Sequence, residues 1–294
     1  MKHFKETLYD AVCQEYRIDK MYFESKTSHQ HLMIFHNAQL GRVMTLDGIV
    51  QTTEADEFIY HEMLAHVPML AHGNAKRILI IGGGDGGMLR EVVKHPIDHV
   101  TQVEIDQSVV NMAIEFLPKH SNGAYQDPRL NLVIDDGFNF VKNFANSGEE
   151  KFDVIISDST DPIGPGEVLF TDDFYQYTKQ CLADDGIMVT QNGVPFFQAD
   201  ELQNTQQRMS SLYSDMRFYC APVPSYYGGF MTFAWGTDNA SASAPELSVL
   251  QQRFSALGIK TRYYNPAIHG ASFALPQYVI DSLTPGTDNV ENGQ

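Results

Sequence analysis

A short apolar run leads directly into a cluster of glycines in the stretch Ile78-Leu79-Ile80-Ile81-Gly82-Gly83-Gly84-Asp85-Gly86-Gly87. The run has the length and composition of a buried strand, and Gly82, Gly84 and Gly87 match the G-x-G-x-x-G pattern of a nucleotide-binding turn. Small residues there let the backbone turn tightly and approach a ligand at the start of a helix. Asp85 adds a negative charge, which repels a pyrophosphate and attracts a cation. We therefore expect a nucleoside-containing ligand that carries positive charge.

Strand-like and helix-like segments alternate from this turn towards the end of the chain. The predicted strands cover 78–81, 100–104, 130–134, 154–158, 187–191, 218–221 and 230–235, and the predicted helices cover 88–95, 107–117, 137–145, 171–182, 199–212 and 246–257. Such alternation is typical of an α/β fold in which helices cover both faces of a parallel sheet. The small-polar stretch 237–245 is predicted to be a surface loop.

The N-terminal part of the chain has a different pattern. Short β-like runs are separated by turn residues, including the hairpin signal Asp47-Gly48, and a helical pattern runs from Asp56 to Leu70 and ends near Gly73. We predict a small antiparallel β domain over 1–53 that serves oligomerisation, a main α/β domain over 54–283, and a disordered tail over 284–294 that is rich in Gly, Asn and Asp.

Composition argues against several classes of partner. The formal charge is -17, with 37 acidic and 20 basic residues, whereas binding to a phosphate backbone needs clustered Lys and Arg. Cys13, Cys181 and Cys220 are too far apart for a C-x-x-C pair, and the eleven histidines lack metal-ligand spacing. Neither a signal peptide nor a membrane-spanning apolar run is evident. We expect a cytoplasmic protein without a metal, a nucleic-acid partner or a membrane partner.

Acidic residues follow the ends of the predicted strands. Asp85, Glu104 and Asp136 come after the first, second and third strands of the sheet, and Asp158 ends the fourth. Because ligands bind beyond the carboxyl ends of the strands in a doubly wound sheet, we expect these groups to share one cleft. Glu104 lies 22 positions after Gly82, close to the spacing of an acid that binds ribose hydroxyls.

Each of these residues also has a structural explanation when it is taken alone. Glycine-rich turns occur without ligands, an Asp before a helix is most often an N-cap, and Glu104 fits a solvated strand end equally well. For Asp136 taken singly, the N-cap is the favoured role, whereas Asp136-Gly137 is also placed to contact an adenine amine. The joint pattern favours a ligand site.

A second cluster follows the fourth strand in the stretch Asp158-Ser159-Thr160-Asp161-Pro162-Ile163-Gly164-Pro165-Gly166. By itself it is consistent with a simple turn that contains Asx hydrogen bonds. Its position beside the predicted cleft makes the paired carboxylates suitable for a diamine, and the Pro/Gly segment suitable for a lid.

The ordered motifs resemble those of the spermidine synthase family of polyamine aminopropyltransferases over about residues 8–283. The resemblance rests on 82–87, 103–106, 134–137 and 158–165, together with the upstream segments 46–54 and 58–62. It implies a methyltransferase-like, Rossmann-like sheet behind an N-terminal β domain that forms a homodimer or a homotetramer. It also implies aminopropyl transfer from decarboxylated S-adenosylmethionine to putrescine, with no prosthetic group.

The resemblance further implies a role for individual residues. Asp158 is the base, Tyr60 orients the attacking nitrogen, and Asp161 and Tyr226 hold the diamine. The remaining residues contact the donor or lie along the polyamine path: Gln30 and Glu104 at the ribose, Asp136 and Gly137 at the adenine, Pro165 on the nucleoside, and Gln51, His61 and Asp85 around the aminopropyl group. His61, Gln30 and Tyr226 also fit purely structural roles.

Two rival functions stay open at this point. A methyltransferase acting on putrescine has the same glycine turn and acidic strand ends, and its nucleoside product is S-adenosylhomocysteine. A polyamine-binding regulator without catalytic activity needs the binding groups alone, although the presence of Asp158, Asp161 and Tyr60 argues against it.

Overall fold

A computed structural model describes residues 2–162 and 164–284, apart from the side chain of Pro165. Its strands are β1 Lys2–Lys5, β2 Glu15–Ile18, β3 Lys20–Lys26, β4 His31–Asn37, β5 Gly41–Leu46, β6 Ile49–Thr53, β7 Arg77–Gly82, β8 His99–Glu104, β9 Leu130–Ile134, β10 Phe152–Asp158, β11 Leu182–Gln191, β12 Asp215–Pro222 and β13 Phe230–Thr237.

Helices lie mainly between the strands of the larger sheet. They are α1 Glu57–His72, α2 Gly87–Val92, α3 Gln107–Phe116, α4 Pro118–Ser121, α5 Gly137–Ala145, α6 Asp172–Cys181, α7 Ala199–Ser210, α8 Ala240–Ser243, α9 Leu247–Leu257, α10 Pro266–Ser272 and α11 Gln277–Leu283, with 3₁₀ turns at Ala124–Gln126 and Gly164–Phe170.

The central sheet has seven strands in the order β12-β13-β11-β10-β7-β8-β9. The five strands from β11 to β9 are parallel to one another. At one edge of the sheet, β13 pairs antiparallel with both of its neighbours, β11 and β12. Chain order reverses between β7 and β10, which is where a doubly wound sheet opens a crevice for ligands. The predicted α/β class and mostly parallel sheet are confirmed.

Both faces of this sheet are buried, and the sequence of β7 shows why. Ile78 and Ile80 pack into a core that contains α1 and α2, whereas Leu79 and Ile81 pack into a core with α5, α6 and α7 on the opposite face. Side chains alternate between the faces of a strand, so a strand covered on both sides must be apolar throughout. The resulting rigid strand positions the glycine turn that follows it.

The N-terminal region forms two antiparallel sheets. β3 to β6 make a four-stranded meander, and β1 pairs with β2. The predicted Asp47-Gly48 turn joins β5 to β6 with φ of 49° and 82°, the left-handed conformations that a tight two-residue hairpin requires.

The linking helix α1 is longer than its predicted range of 56–70. It continues through Pro68 and ends at Gly73, whose φ of 79° allows its N–H to bond to the carbonyl of Met69. Most of α1 is buried against the central sheet and α2. This placement brings Tyr60 and His61 to the crevice.

Several segments differ from the sequence predictions. The stretch 237–245 contains α8 in addition to loop, 164–170 forms a 3₁₀ turn, and α10 and α11 were not predicted. Of the predicted tail, 285–294 lies outside the described residues. Within the described part of the chain, no helix is long and apolar enough to cross a membrane.

Candidate active site

Two adjoining cavities open at the carboxyl ends of β7 and β10. The larger one has a volume of about 130 Å³ and is bounded by the glycine turn, so we name it the donor cavity after the nucleoside donor that the sequence predicts there. The smaller one has a volume of about 60 Å³ and is bounded by Asp161 and β11, and we name it the acceptor cavity after the predicted diamine. The two share five lining residues: Gln51, Tyr60, Ser159, Thr160 and Tyr226. A ligand in one cavity therefore lies directly beside a ligand in the other.

The glycine turn allows side chains from other elements to approach its backbone closely. A Cβ atom at Gly84 would lie 2.8 Å from a carboxylate oxygen of Glu104, and one at Gly87 would lie 2.2 Å from the ring of His61. Any larger residue at these positions would displace those groups. The glycines thus permit the acidic and imidazole side chains to converge around one space.

On the donor side, Glu104 ends β8 and is 7% exposed. Its Oε1 accepts the N–H of Asp106, and burial raises the pKa of Glu104 to about 7. Asp106 caps α3 through Ser108 and accepts bonds from the side chains of Thr27 and Gln30. These contacts fix the cavity wall between the N-terminal sheet and β8.

Asp136 is an N-cap that also lines the donor cavity. Its side chain caps α5 by accepting the N–H of Asn139, and the residue also lines the donor cavity together with Gly137. A Cβ atom at Gly137 would lie 2.5 Å from Ile81, so the start of α5 packs directly on β7.

Asp158 lines the donor cavity next to Tyr60 and Ser159, two of the residues that both cavities share. It ends β10, opposite Gly82 of β7, and its Oδ1 accepts a 2.7 Å hydrogen bond from the hydroxyl of Tyr60. Burial raises the pKa of Asp158 to about 6, although His61 and the Tyr60 hydrogen bond act in the opposite direction. Burial and the nearby Asp158 raise the pKa of Tyr60 well above its usual value, so Tyr60 stays a neutral donor.

His61 and Asp85 form a buried pair in the wall of the donor cavity. Nε2 of His61 lies 3.4 Å from Oδ2 of Asp85, whose other oxygen accepts the N–H of Gly87. Nδ1 of His61 lies 2.7 Å from Glu57, which in turn binds both terminal nitrogens of Arg90. Arg90, Glu57, His61 and Asp85 thus form a row in which basic and acidic side chains alternate.

Two acidic residues, Glu6 and Asp161, line the acceptor cavity, and Glu201 is joined to Asp161 through Gln198 without lining the cavity itself. Gln198 donates 3.1 Å hydrogen bonds to both Asp161 and Glu201. Burial and the nearby Asp161 raise the pKa of Glu201 to about 7, and its Oε2 has no hydrogen-bond partner within the described residues. Across the cavity, Tyr226 donates to the carbonyl of Gln51 and packs edge-on against Tyr60. The cavity suits an amine with a second positive charge.

Of the twelve predicted site residues, ten line the donor cavity: Gln30, Gln51, Tyr60, His61, Asp85, Glu104, Asp136, Gly137, Asp158 and Tyr226. Asp161 lines the acceptor cavity and not the donor cavity. The side chain of Pro165 lies outside the described part of the chain.

Sequence reasoning missed Glu57, Arg90, Gln198 and Glu201. Glu57 precedes His61 by one helical turn, a spacing that places their side chains side by side. This signal was available in the sequence. The contact of Arg90 with Glu57 joins residues 33 positions apart, and local spacing gives no sign of it.

Among the described residues, one group has ligand atoms close enough for a metal. The ligand atoms of His72, Asp153 and Asp185 lie within 4.8 Å of one another. Nδ1 of His72 accepts the N–H of Asn74, and Nε2 lies 3.8 Å from Asp185 without a hydrogen-bond partner among the described residues. Asp153 accepts the N–H groups of Lys76 and Arg77. Asp185 is exposed, and exposed acidic groups commonly occur without a metal, so we assign no metal to this cluster.

Comparison with known proteins identifies the relatives of this chain. A model described as the spermine/spermidine synthase domain matches residues 57–245, and one described as the spermidine synthase tetramerisation domain matches residues 3–54. The chain belongs to the spermine/spermidine synthase family. It is accordingly a transferase of the polyamine aminopropyltransferase class, as its sequence motifs predicted.

Similarity to members of the spermine/spermidine synthase family extends over nearly the whole chain. A polyamine aminopropyltransferase from Pseudomonas syringae pv. tomato is 60% identical, covering 98% of this chain and 100% of the relative. Polyamine aminopropyltransferase 1 from Pseudomonas aeruginosa is also 60% identical, covering 96% and 98%.

Solved structures in the spermine/spermidine synthase family have the same fold. A spermidine synthase in complex with the transition-state analogue AdoDATO superimposes with a TM-score of 0.88 at 36% identity, covering 96% of this chain and 94% of the other. The spermidine synthase from Thermotoga maritima gives a TM-score of 0.87 at 34% identity, with the same coverage.

Proposed function

We propose that this chain transfers the aminopropyl group of decarboxylated S-adenosylmethionine to putrescine, yielding spermidine and methylthioadenosine. The observation that carries the proposal is the pair of adjoining acid-lined cavities, which meet at Tyr60, whose hydroxyl donates to Asp158. One cavity suits a nucleoside with a cationic substituent, and the other suits a diamine. Family membership supports the same assignment.

The donor occupies the larger cavity in this proposal. Glu104 accepts hydrogen bonds from the ribose and Gln30 contacts neighbouring atoms, while Asp136 and Gly137 contact the adenine. Pro165 is assigned to packing on the nucleoside. Gln51, His61 and Asp85 surround the aminopropyl group. A donor that retained its methionine carboxylate would bring a like charge near Asp85, so the cavity favours the decarboxylated form.

The acceptor lies between Tyr226 and Asp161, with its reactive nitrogen at Asp158. That nitrogen forms a bond to the aminopropyl carbon next to the sulfonium, the carbon–sulfur bond breaks, and its electron pair stays on the sulfur of methylthioadenosine. The departing proton of the amine passes to Asp158. The sulfonium already activates the carbon, so no prosthetic group is required.

Burial makes Asp158 a better base than an ordinary carboxylate. Moving a proton from an amine with a pKa of about 10.4 to a carboxyl with a pKa of 3.8 costs about 9 kcal/mol, and moving it to one with a pKa of about 6 costs about 6 kcal/mol. Burial therefore contributes roughly 3 kcal/mol to the proton transfer. Positioning and exclusion of water contribute the remainder.

The assembly and location are part of the proposal. We assign residues 1–53 to an oligomerisation domain and 54–283 to the catalytic domain, and we expect a homodimer or a homotetramer in the cytoplasm. The match of residues 3–54 to a tetramerisation model supports this assignment. Light scattering on the purified protein measures the oligomeric state directly.

The test of the reaction is one incubation with the decarboxylated donor and a panel of amines, followed by mass spectrometry. We expect spermidine and methylthioadenosine in equal amounts with putrescine. A parallel incubation with S-adenosylmethionine tests the rival function, because S-adenosylhomocysteine formed there would instead indicate methyl transfer. Tight polyamine binding without methylthioadenosine would indicate a non-catalytic binding protein.

A further inference from the structure

We propose that Glu57, held by Arg90, is a positioning residue that keeps the ring of His61 doubly protonated and thereby keeps Asp85 ionised in the wall of the donor cavity. This inference rests on the proposed function for its effect on the reaction. Its structural basis lies outside the predicted substrate contacts, because neither Glu57 nor Arg90 lines either of the two cavities.

Arg90 fixes the Glu57 carboxylate from two directions. Its Nη1 and Nη2 donate to Oε1 and Oε2 of Glu57 at 3.1 and 2.8 Å, and its Nε donates to Glu91 at 2.7 Å. Nη1 also donates to the carbonyls of Lys119 and His120. A guanidinium bound in a fork to a carboxylate and anchored by further acceptors leaves that carboxylate little freedom.

The ring of His61 is confined between two carboxylates. Nδ1 lies 2.7 Å from Glu57 and Nε2 lies 3.4 Å from Asp85, and the side chains of all three residues are less than 10% exposed. The ring packs so closely on Gly87 that even a Cβ atom there would overlap it. Since a neutral imidazole has only one N–H, one of the two carboxylates would then face a ring lone pair. The imidazolium satisfies both.

The charged groups around the ring agree with this protonation state. Burial alone would lower the pKa of His61, but Asp85 and Glu57 outweigh it, so the pKa is raised well above the usual value. Burial raises the pKa of Asp85, and the charge of His61 reverses that effect. Among the described residues, the other titratable or charged groups that face His61 and Asp85 are Tyr60, Arg90, His120, Tyr125, Asp158 and Tyr226.

The pair affects the proposed base as well. His61 lowers the pKa of Asp158 whereas Asp85 raises it. If His61 lost its proton, Asp158 would face the negative charge of Asp85 without compensation. Through His61 and Asp85, Glu57 thus influences the pH at which Asp158 loses its proton and can act as the base.

The test is Glu57→Gln, which retains a hydrogen-bond acceptor for Nδ1 and removes the charge. NMR follows the protonation of the His61 ring, and a His61→Asn protein assigns its signals. We expect the ring to stay protonated through pH 8 in the parent and to titrate between about pH 5 and pH 8 in the variant. The acid limb of kcat/KM should move to higher pH by about one unit. Glu57→Asp should restore both readouts in part.

The direction of the pH shift makes the test decisive. If His61 kept its proton without Glu57, removing a negative charge would leave the acid limb unchanged or move it to lower pH, and the proposal would be overturned. Glu62→Gln is the matched control, because Glu62 is a buried carboxylate on the same helix that binds backbone N–H groups of 262–264. It should alter stability without shifting the His61 titration. Product formation by the parent protein tests the reaction separately.

Discussion

Replacing Asp158 with Asn tests the proposed base through two effects of opposite sign. Asparagine keeps the shape of the side chain and an oxygen for the Tyr60 hydroxyl, but it cannot take a proton from the amine. General-base catalysis contributes about 10²–10⁴-fold to a rate, so kcat should fall by that factor. Donor affinity should change by less than about threefold, because the proposed donor contacts lie on other residues.

The same substitution should stabilise the fold above about pH 6. The folded pKa of Asp158, about 6, lies above the usual value of 3.8, so ionisation of this group costs roughly 3 kcal/mol of folding free energy at high pH. The raised pKa already includes the hydrogen bond from Tyr60, so the neutral asparagine should gain roughly 3 kcal/mol at pH 8. At about 2.1 cal/mol/K of unfolding entropy per residue over 294 residues, this gain corresponds to an increase in Tm of about 5 °C.

The pH dependence identifies the source of the stabilisation. Because the folded pKa is raised, the cost of ionisation is absent below about pH 4 and reaches its full size above about pH 6. The Tm difference between variant and parent, measured by calorimetry, should therefore be positive at pH 8 and vanish at pH 4. Asp184→Asn, at an exposed position on β11, is the control. An equal Tm difference at both pH values, or donor affinity that falls in step with kcat, would refute the reasoning.

Three further substitutions test other contacts. Tyr60→Phe removes the 2.7 Å hydrogen bond to Asp158 and should lower kcat by roughly 10–100-fold. It should also move the acid limb of the pH profile of kcat/KM to higher pH, and an unchanged acid limb would contradict the assigned contact. Asp85→Asn should narrow the preference for the decarboxylated donor over S-adenosylmethionine, which calorimetry measures as the ratio of the two affinities. An unchanged ratio would exclude a role of Asp85 in this discrimination. Asp161→Asn removes a carboxylate that lines the acceptor cavity and should raise KM for putrescine by about tenfold while leaving KM for butylamine unchanged, so an equal change for both amines would contradict recognition of a second ammonium.

Local pattern was sufficient to predict most of the central sheet. The apolar run 78–81 and the glycine turn after it have few alternative structures, and the observed β7 covers the run and ends where the turn begins. Strand ends were less predictable: β12 extends over Asp215–Pro222 although 218–221 was predicted, because Asp is depleted in strands and the two charged residues in 215–217 favour a turn when read locally. The seven-residue helices α10 and α11 are too short for a clear helical periodicity.

The convergence of the site residues could be predicted from the topology of the sheet. Residues at the carboxyl ends of parallel strands share one edge of the sheet, so Asp85, Glu104 and Asp158 were expected together and line one cavity. The division into two cavities was not expected, because it depends on how the chain turns between Asp158 and Asp161. The Arg90 contact likewise depends on the packing of α1 against α2.

The most direct measurement of the central claim follows the fate of the donor in a single turnover with putrescine. Mass spectrometry should find methylthioadenosine and spermidine in a one-to-one ratio, with the Asp158→Asn protein binding the donor and forming neither product at a comparable rate. Formation of N-methylputrescine in place of spermidine, or full activity of the Asp158→Asn protein, would contradict the account.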